Sequence, residues 1–102
     1  MREFDLFIPL NYNDGTAIEG GKLQWLQRRL LEHFAGLTFF PQPNEGWWKL
    51  GDVTYRDEIV IYRVLASDAA DARAFLRALK SELKAALRQE EILIIERQVS
   101  TL

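Results

Sequence analysis

The 102-residue sequence contains no cysteine and a single histidine, His33. Without cysteine there is no disulfide, no thiolate metal site and no thiol nucleophile. One histidine cannot build a multi-histidine metal centre or a hydrolase triad with a base to spare. Basic excess is missing too: thirteen Lys and Arg stand against fifteen Asp and Glu, a net charge of -2. A nucleic-acid-binding domain normally shows clustered positive charge, so a nucleic-acid partner is disfavoured. No apolar run approaches the roughly 20 residues of a membrane-spanning helix. The start, Met1-Arg2-Glu3-Phe4-Asp5, puts acids where an export signal needs a basic segment followed by an apolar one. A soluble, cytoplasmic chain with no membrane partner is the expectation. No phosphate-binding glycine loop, metal-ligand spacing or nucleophile elbow occurs, so neither a metal nor a cofactor is expected.

What remains is an ordinary globular balance, 48% hydrophobic and 27% charged, in a chain long enough to bury roughly 60–65% of its unfolded surface. We expect residues 1–102 to form one domain. Phe4, Leu6, Ile8 and Leu10 alternate with other residues at the period of two that marks a strand with one buried face. Asn11 to Gly21 is loop-like, with a turn signal at Asn13-Asp14-Gly15. From Lys22 to Ala35 the residues Leu23, Leu26, Leu30 and Phe34 fall in one helical stripe, and Gly36 stands where a left-handed terminating residue is common.

A second strand is expected from Leu37 to Phe40, interrupted at Pro41 to Gly46 by a bulge or an edge excursion and resumed at Trp47 to Leu50. Gly51-Asp52 makes a turn into a long strand, Val53 to Leu65, so these segments form a hairpin, with a wide tip expected. Ser67 or Asp68 caps a second helix running to about Arg88, with Asp71 in its first turn and a stripe of Ala72, Phe75, Leu76, Leu79, Leu83, Ala86 and Leu87. Glu91 to Val99 closes the chain as a strand whose continuous run Ile92-Leu93-Ile94-Ile95 suits a position covered on both sides or inside the sheet. The order β-α-β-β-α-β with right-handed crossovers predicts an α+β, ferredoxin-like sandwich: a four-stranded antiparallel sheet with both helices on one face. The other face stays open and apolar, so a homo-oligomer formed through it is expected.

The residues that could carry chemistry gather on the hairpin. Trp47, Trp48 and Lys49 beside Gly46 suit the lip of a small-molecule pocket, while the competing reading sends one tryptophan to the core and the other to an interface. Alternation sends Arg56 and Glu58 to one face and Tyr55 and Asp57 to the other, so one charge must look toward the less polar side. Asp57 is therefore the best functional carboxylate, against the plainer readings of a paired charge or edge protection. Tyr55 and His33 complete a set of candidate catalytic residues, although a satisfied, part-buried His33 is the simpler account. Trp25 lies off the first helix's stripe, with Arg29 four residues on for a cation-π contact, and reads as an interface residue. Arg73, Arg77, Lys80, Lys84 and Arg88 make a basic ridge that reads as a solvated face, and Gly20-Gly21 gives a weak suggestion of an anion site.

Taken together, Gly36-Leu37-Thr38, Gly46-Trp47-Trp48, Gly51, Arg56-Asp57-Glu58 and Gln89-Glu90 before Ile92-Leu93 resemble the pattern of a group of small bacterial proteins of unknown function. The resemblance spans most of the chain from Leu6 onward, and it implies a bacterial origin and a ferredoxin-like fold but no reaction. Two functional expectations follow. One is an oligomeric binding or regulatory module with a ligand pocket at the hairpin. The other is a cofactor-free enzyme of the dimeric ferredoxin-like type acting on a small organic substrate with His33 or Asp57 as acid or base.

Overall fold

A computed structural model describes Met1–Leu102 in full. Its elements run β1 (Arg2–Pro9), α1 (Gly20–His33), β2 (Thr38–Leu50), β3 (Val53–Ala66), α2 (Ala69–Ala86) and β4 (Leu93–Gln98). The sheet order is β2-β3-β1-β4 with every neighbouring pair antiparallel, which is the predicted ferredoxin-like arrangement. Alternation along the central strands gives the sheet its two faces. Phe4, Leu6 and Ile8 of β1 and Val60, Tyr62 and Val64 of β3 point to the helices and are buried with Leu26, Leu30, Leu76, Leu79 and Leu83. Their partners one position away point to the open face.

Several local expectations are revised. The first helix starts at Gly20, not Lys22, and ends at His33, before Gly36. Phe34 turns extended, with φ -106 and ψ 143, because its ring drops into the core while its N–H still reaches Leu30 O at 2.8 Å, so no left-handed glycine is needed. Glu19 stands at that helix's N-cap without bonding its amides, and its carboxylate turns to the Tyr12 hydroxyl with Lys22 3.5 Å away. The supposed polar loop is anchored by Tyr12 and Ile18, both buried, and by Asp14, which accepts from the Thr16 hydroxyl and N–H at 2.6 and 2.9 Å. The last strand is not interior. It forms the sheet edge beside β1, and its run is apolar on both sides because Ile92 enters the core while Leu93, 52% exposed, lies on the open face.

The basic ridge of α2 is substantially paired. Arg73 grips Glu96 in a two-pronged bond at 2.6 and 2.7 Å, and Lys80 meets Glu91 at 2.9 Å. Arg88 itself lies beyond the helix at φ 52 and ends it in a Schellman turn, its N–H bonding Ala85 O at 3.3 Å while the Gln89 N–H bonds Lys84 O at 3.0 Å.

β2 and β3 carry the feature that matters most for function. Between Phe40 and Asn44, β2 spends four residue steps against two from Ile61 to Ile59 on β3, and the bulge holds Pro41 and Pro43 on an edge where no ladder donor is required. Beyond it the two strands pair for six more positions, from Glu45↔Glu58 to Leu50↔Val53. Pairing with β1 ends at Pro9↔Ile59 and a last bond from Leu10 N to Glu58 O at 2.9 Å. The hairpin therefore projects past the sheet as a two-stranded arm of roughly 20 Å at about 3.3 Å per residue. Its tip is tight, not wide: Gly51 at φ +62 is followed by Asp52 at negative φ, the pattern that closes a two-residue hairpin turn.

On the open face, β1 holds the one buried carboxylate, Asp5. Arg63 of β3 binds it through two bonds, Nε to Oδ1 at 2.7 Å and Nη2 to Oδ2 at 3.0 Å, while Arg97 of β4 donates to Oδ2 at 2.8 Å. Glu3 takes a second contact from each arginine, at 3.1 and 3.2 Å. Hydrogen bonding from Arg63 holds the Asp5 carboxyl below its ordinary value of 3.8, with Arg97 adding to the effect against the cost of burial. A carboxyl lowered on folding contributes its full stabilisation above its ordinary value and loses it as pH falls through the folded value. Asp5→Asn is expected to cost about 2 kcal/mol at pH 7, since it leaves the forked arginine half-partnered. Urea unfolding should show that cost shrinking between pH 5 and pH 2, where the wild type also loses the bond.

Candidate functional site

The arm rises beside the end of β1, and a cavity of about 490 Å³ opens between them on the open face. Phe7, Pro9, Ile59 and Leu93 form its apolar floor, Trp47 and Trp48 its wall, and Gln89 and Glu91 its far rim. Each contribution follows from local structure. The Schellman turn at Arg88 aims Gln89 back toward the sheet, and β-pairing of Gly46 with Asp57 leaves a side-chain gap in the arm through which the cavity enters. A Cβ built on Gly46 would meet Asp57 O at 3.8 Å and the Ile59 methyl at 3.9 Å, ordinary contact distances, so the glycine leaves room without being forced by backbone conformation.

Asp57 stands in the cavity wall, with its carboxylate accepting from the Trp48 indole Nε1–H at 2.8 Å. Trp48 in turn stacks on Tyr55, with centroids 4.5 Å apart and planes 17° from parallel. On the arm's other face Arg56 binds Glu45 at 2.6 Å and lies 5.9 Å from the Trp47 ring. Hydrogen bonding and the charge of Glu45 raise the Arg56 guanidinium above its ordinary value. Glu91 is held below its ordinary value, first by hydrogen bonding from Lys80 and then from the Ile92 N–H. Two of the three carboxylates here thus face cations, and Asp57 faces only a neutral indole.

A second, polar cavity of about 280 Å³ lies between the Asn11–Gly15 loop and the arm, lined by Asn11, Tyr12, Tyr55, Arg56 and Glu58 among others. Asp57 is the one residue that lines both cavities. Tyr12 is fixed: its hydroxyl donates to Glu19 and accepts from Lys22 at 2.5 Å, and Lys22 also bonds Ala86 O at 2.8 Å. Hydrogen bonding to Tyr12 is the largest cause of the raised Lys22 ammonium value.

The structure thus gathers Trp47, Trp48, Tyr55, Arg56 and Asp57 and leaves three other candidates apart. His33 stacks on Phe75 at 3.8 Å, meets Asp71 Oδ2 at 2.8 Å and clips α1 to α2, so it does not converge with Asp57 on a cavity. Trp25 is half-buried against the core, not exposed, with Arg29 5.4 Å above its ring as the spacing suggested. Lys49 is exposed on the arm opposite Thr54 and lines neither cavity. Neither hairpin tryptophan fills the core: Trp47 is 64% exposed and Trp48 half-buried in the cavity wall. Gln89 and Glu91 belong to the rim although nothing in their local spacing marked them, because only the close of the Schellman turn brings them there. No group of His, Cys, Asp and Glu is arranged to hold a metal ion, and no helix is long and apolar enough to cross a membrane.

No family model matches the chain, and no curated protein matches it in sequence. Its fold is that of solved structures of a phage SAM lyase. The form in complex with S-methyl-5'-thioadenosine superposes with a TM-score of 0.69 at 16% identity, over 95% of this chain and 80% of that one. The apo form gives 0.69 and 16% over 94% and 78%.

Replacing Trp48 by Phe is expected to keep the stack on Tyr55 while deleting the bond to Asp57, at a cost of about 1 kcal/mol in urea unfolding. A loss of near-ultraviolet circular dichroism with far-ultraviolet signal retained would report the loosened arm.

Proposed function

We propose that the cavity between the arm and the sheet binds a small organic ligand that carries a flat heteroaromatic ring, of the adenosine-thioether class. The observation that carries this reading is the pairing of an apolar floor with a Trp48 wall whose indole is locked from both sides, by Asp57 and by the Tyr55 stack. An immobilised aromatic surface stacks on a planar ring without first losing side-chain freedom. The volume of about 490 Å³ lies within the range of small-molecule sites. The ligand class is suggested by the fold neighbours, since a SAM lyase is named for S-adenosylmethionine and one of its structures holds S-methyl-5'-thioadenosine. A binding module and a small cofactor-free enzyme are both compatible with such a pocket. Asp57 and Tyr55 are its candidate acid-base groups, and His33 is too remote to serve.

A second observation favours self-association as part of the reading. Phe40, Leu65 and Leu93 on the open face, with Leu50 and Val53 on the same side of the arm, are each more than a third exposed. Around the neutral cluster of Glu3, Asp5, Arg63 and Arg97, such a face suits a second copy of the same surface, in which each charge meets its opposite. Light scattering with size exclusion is expected to give an oligomer for the wild type and a smaller species for Leu93→Glu.

S-methyl-5'-thioadenosine has roughly 20 non-hydrogen atoms, and at about 0.3 kcal/mol each its affinity should fall in the tens of micromolar. Isothermal titration and tryptophan quenching measure it directly. Gly46→Val, which fills the cavity mouth with a strand-compatible side chain, is expected to weaken binding at least tenfold with little change in melting temperature. Unchanged affinity in that variant would remove the cavity from the reading. Incubation with S-adenosylmethionine followed by chromatography separates the two forms of the proposal, since release of S-methyl-5'-thioadenosine marks an enzyme and intact ligand marks a binding module.

A further inference from the structure

The polar cavity has no part in holding a ring, yet it shares one lining residue, Asp57, with the aromatic cavity. We propose that the two form a bipartite site, in which Asp57 selects a cationic centre on the ligand and the polar cavity takes a zwitterionic tail. The inference rests on the ring-binding reading of the aromatic cavity and adds the charge and shape of what is attached to the ring.

Glu45 has Arg56 at 2.6 Å and Glu91 has Lys80 at 2.9 Å, so neither presents a free charge to the cavity. Asp57 is half-buried and its side chain has a single partner, the Trp48 N–H at 2.8 Å. That bond occupies one oxygen and leaves the net charge in place, beside aromatic walls that lower the local dielectric. A cation next to Asp57 gains the carboxylate and the face of Trp48 together, two attractions with the same preference. A neutral thioether at the same point gains neither.

Because Asp57 lines both cavities, a ligand whose ring occupies the aromatic one and whose cation reaches Asp57 has the polar one within reach of any further group. There the Glu58 carboxylate lies on the arm face opposite Asp57, and Arg56 and the Asn11 amide flank the space. A group bearing an ammonium and a carboxylate, as on an α-amino acid, finds an acceptor and donors there. The ligand class that fits is therefore a nucleoside sulfonium with an aminoacyl tail, and its neutral, tail-less thioether is the form the site holds least.

Four probes dissect the site by isothermal titration: adenosine, S-methyl-5'-thioadenosine, S-adenosylhomocysteine and S-adenosylmethionine. The last two differ in the sulfonium charge, and the second and third differ in the tail. S-adenosylmethionine is expected to bind the wild type at least tenfold more tightly than S-adenosylhomocysteine. Asp57→Asn keeps an acceptor for the Trp48 indole and should bring that ratio within threefold while leaving S-methyl-5'-thioadenosine unchanged. Glu58→Gln and Asn11→Ala should weaken both tailed probes by threefold or more and spare the tail-less ones, with melting temperatures confirming that each variant folds. If adenosine and S-methyl-5'-thioadenosine bind but S-adenosylmethionine binds no better, the ring pocket stands and the bipartite site is overturned. An equal loss of all four probes in Asp57→Asn also overturns it. If none of the four binds the wild type, the ring-binding reading itself falls and takes the bipartite site with it.

Discussion

The pairing of β1 ends at Pro9, and the functional side of the molecule follows from that point. Proline has no N–H to extend the ladder, and the chain leaves the sheet after one last bond from Leu10 to Glu58. The hairpin β2–β3 does not stop there. Its six further pairs stand without a neighbour on the β1 side, so the side chains of Tyr55 and Asp57 look over a step in the sheet instead of into a layer of packed residues. The floor of the step is the apolar end of the open face at Phe7, Pro9 and Ile59, and the Asn11–Gly15 loop closes its outer side. Had β1 run six residues longer, both cavities would be filled by a strand.

An arm that projects on two strands needs internal bracing, because an isolated hairpin is marginally stable in water. Here the bracing and the candidate site use the same atoms. The Trp48–Tyr55 stack and the Trp48–Asp57 bond hold one face, and Arg56 with Glu45 and Trp47 holds the other. At the root, the bulge at Pro41–Pro43 lets the edge strand change register before the arm begins. Lower in the sheet, the Arg63–Asp5–Arg97 bridge ties the three strands β3, β1 and β4 across the open face, which no helix covers. A charge cluster in that position fixes strand pairing, since a slip of one residue would turn Asp5 into the apolar core.

Element order and type were legible in the sequence because the signals were redundant. The stripe from Ala72 to Leu87 repeats over several turns, Phe4, Leu6 and Ile8 keep a period of two, and Asp68, one of two cap candidates, accepts from the Asp71 N–H. What sequence reading missed depends on events between elements. Gly36 looked like a stop, but the burial of Phe34 ends the helix earlier by drawing the chain into an extended form. For His33 the simpler of the two accounts, a satisfied side chain, agrees with Phe75 and Asp71 holding it from the other helix, partners that spacing alone could not name. Asp5 was passed over as the polar half of an alternation, although its partners Arg63 and Arg97 also sit in strands, Arg63 within an apolar run and Arg97 between Glu96 and Gln98. The arm residues stood out by their density of aromatic and charged groups and the fold gathers them on one hairpin, whereas Gln89 and Glu91 could be placed beside them only once the left-handed Arg88 had turned the chain.

Asp57 gathers these threads because of what it lacks. The fold supplies cations generously: thirteen in the chain, of which Arg56, Arg63, Arg73, Lys80 and Arg97 are each committed to a carboxylate. A carboxylate that served only to keep the arm from pairing edge to edge would sit out in water or take one of these cations, and Glu58 and Glu45 already do those two things on the opposite face. Asp57 instead turns inward, takes a neutral donor and lines both cavities. Burying a charge without a counter-ion is costly, so the cation proposed for this site would relieve a cost the fold leaves uncompensated. The same electrostatic reasoning makes Asp5 a structural residue, fully partnered and deep in the sheet face, and sets Asp57 apart from it as the carboxylate with a neutral donor alone.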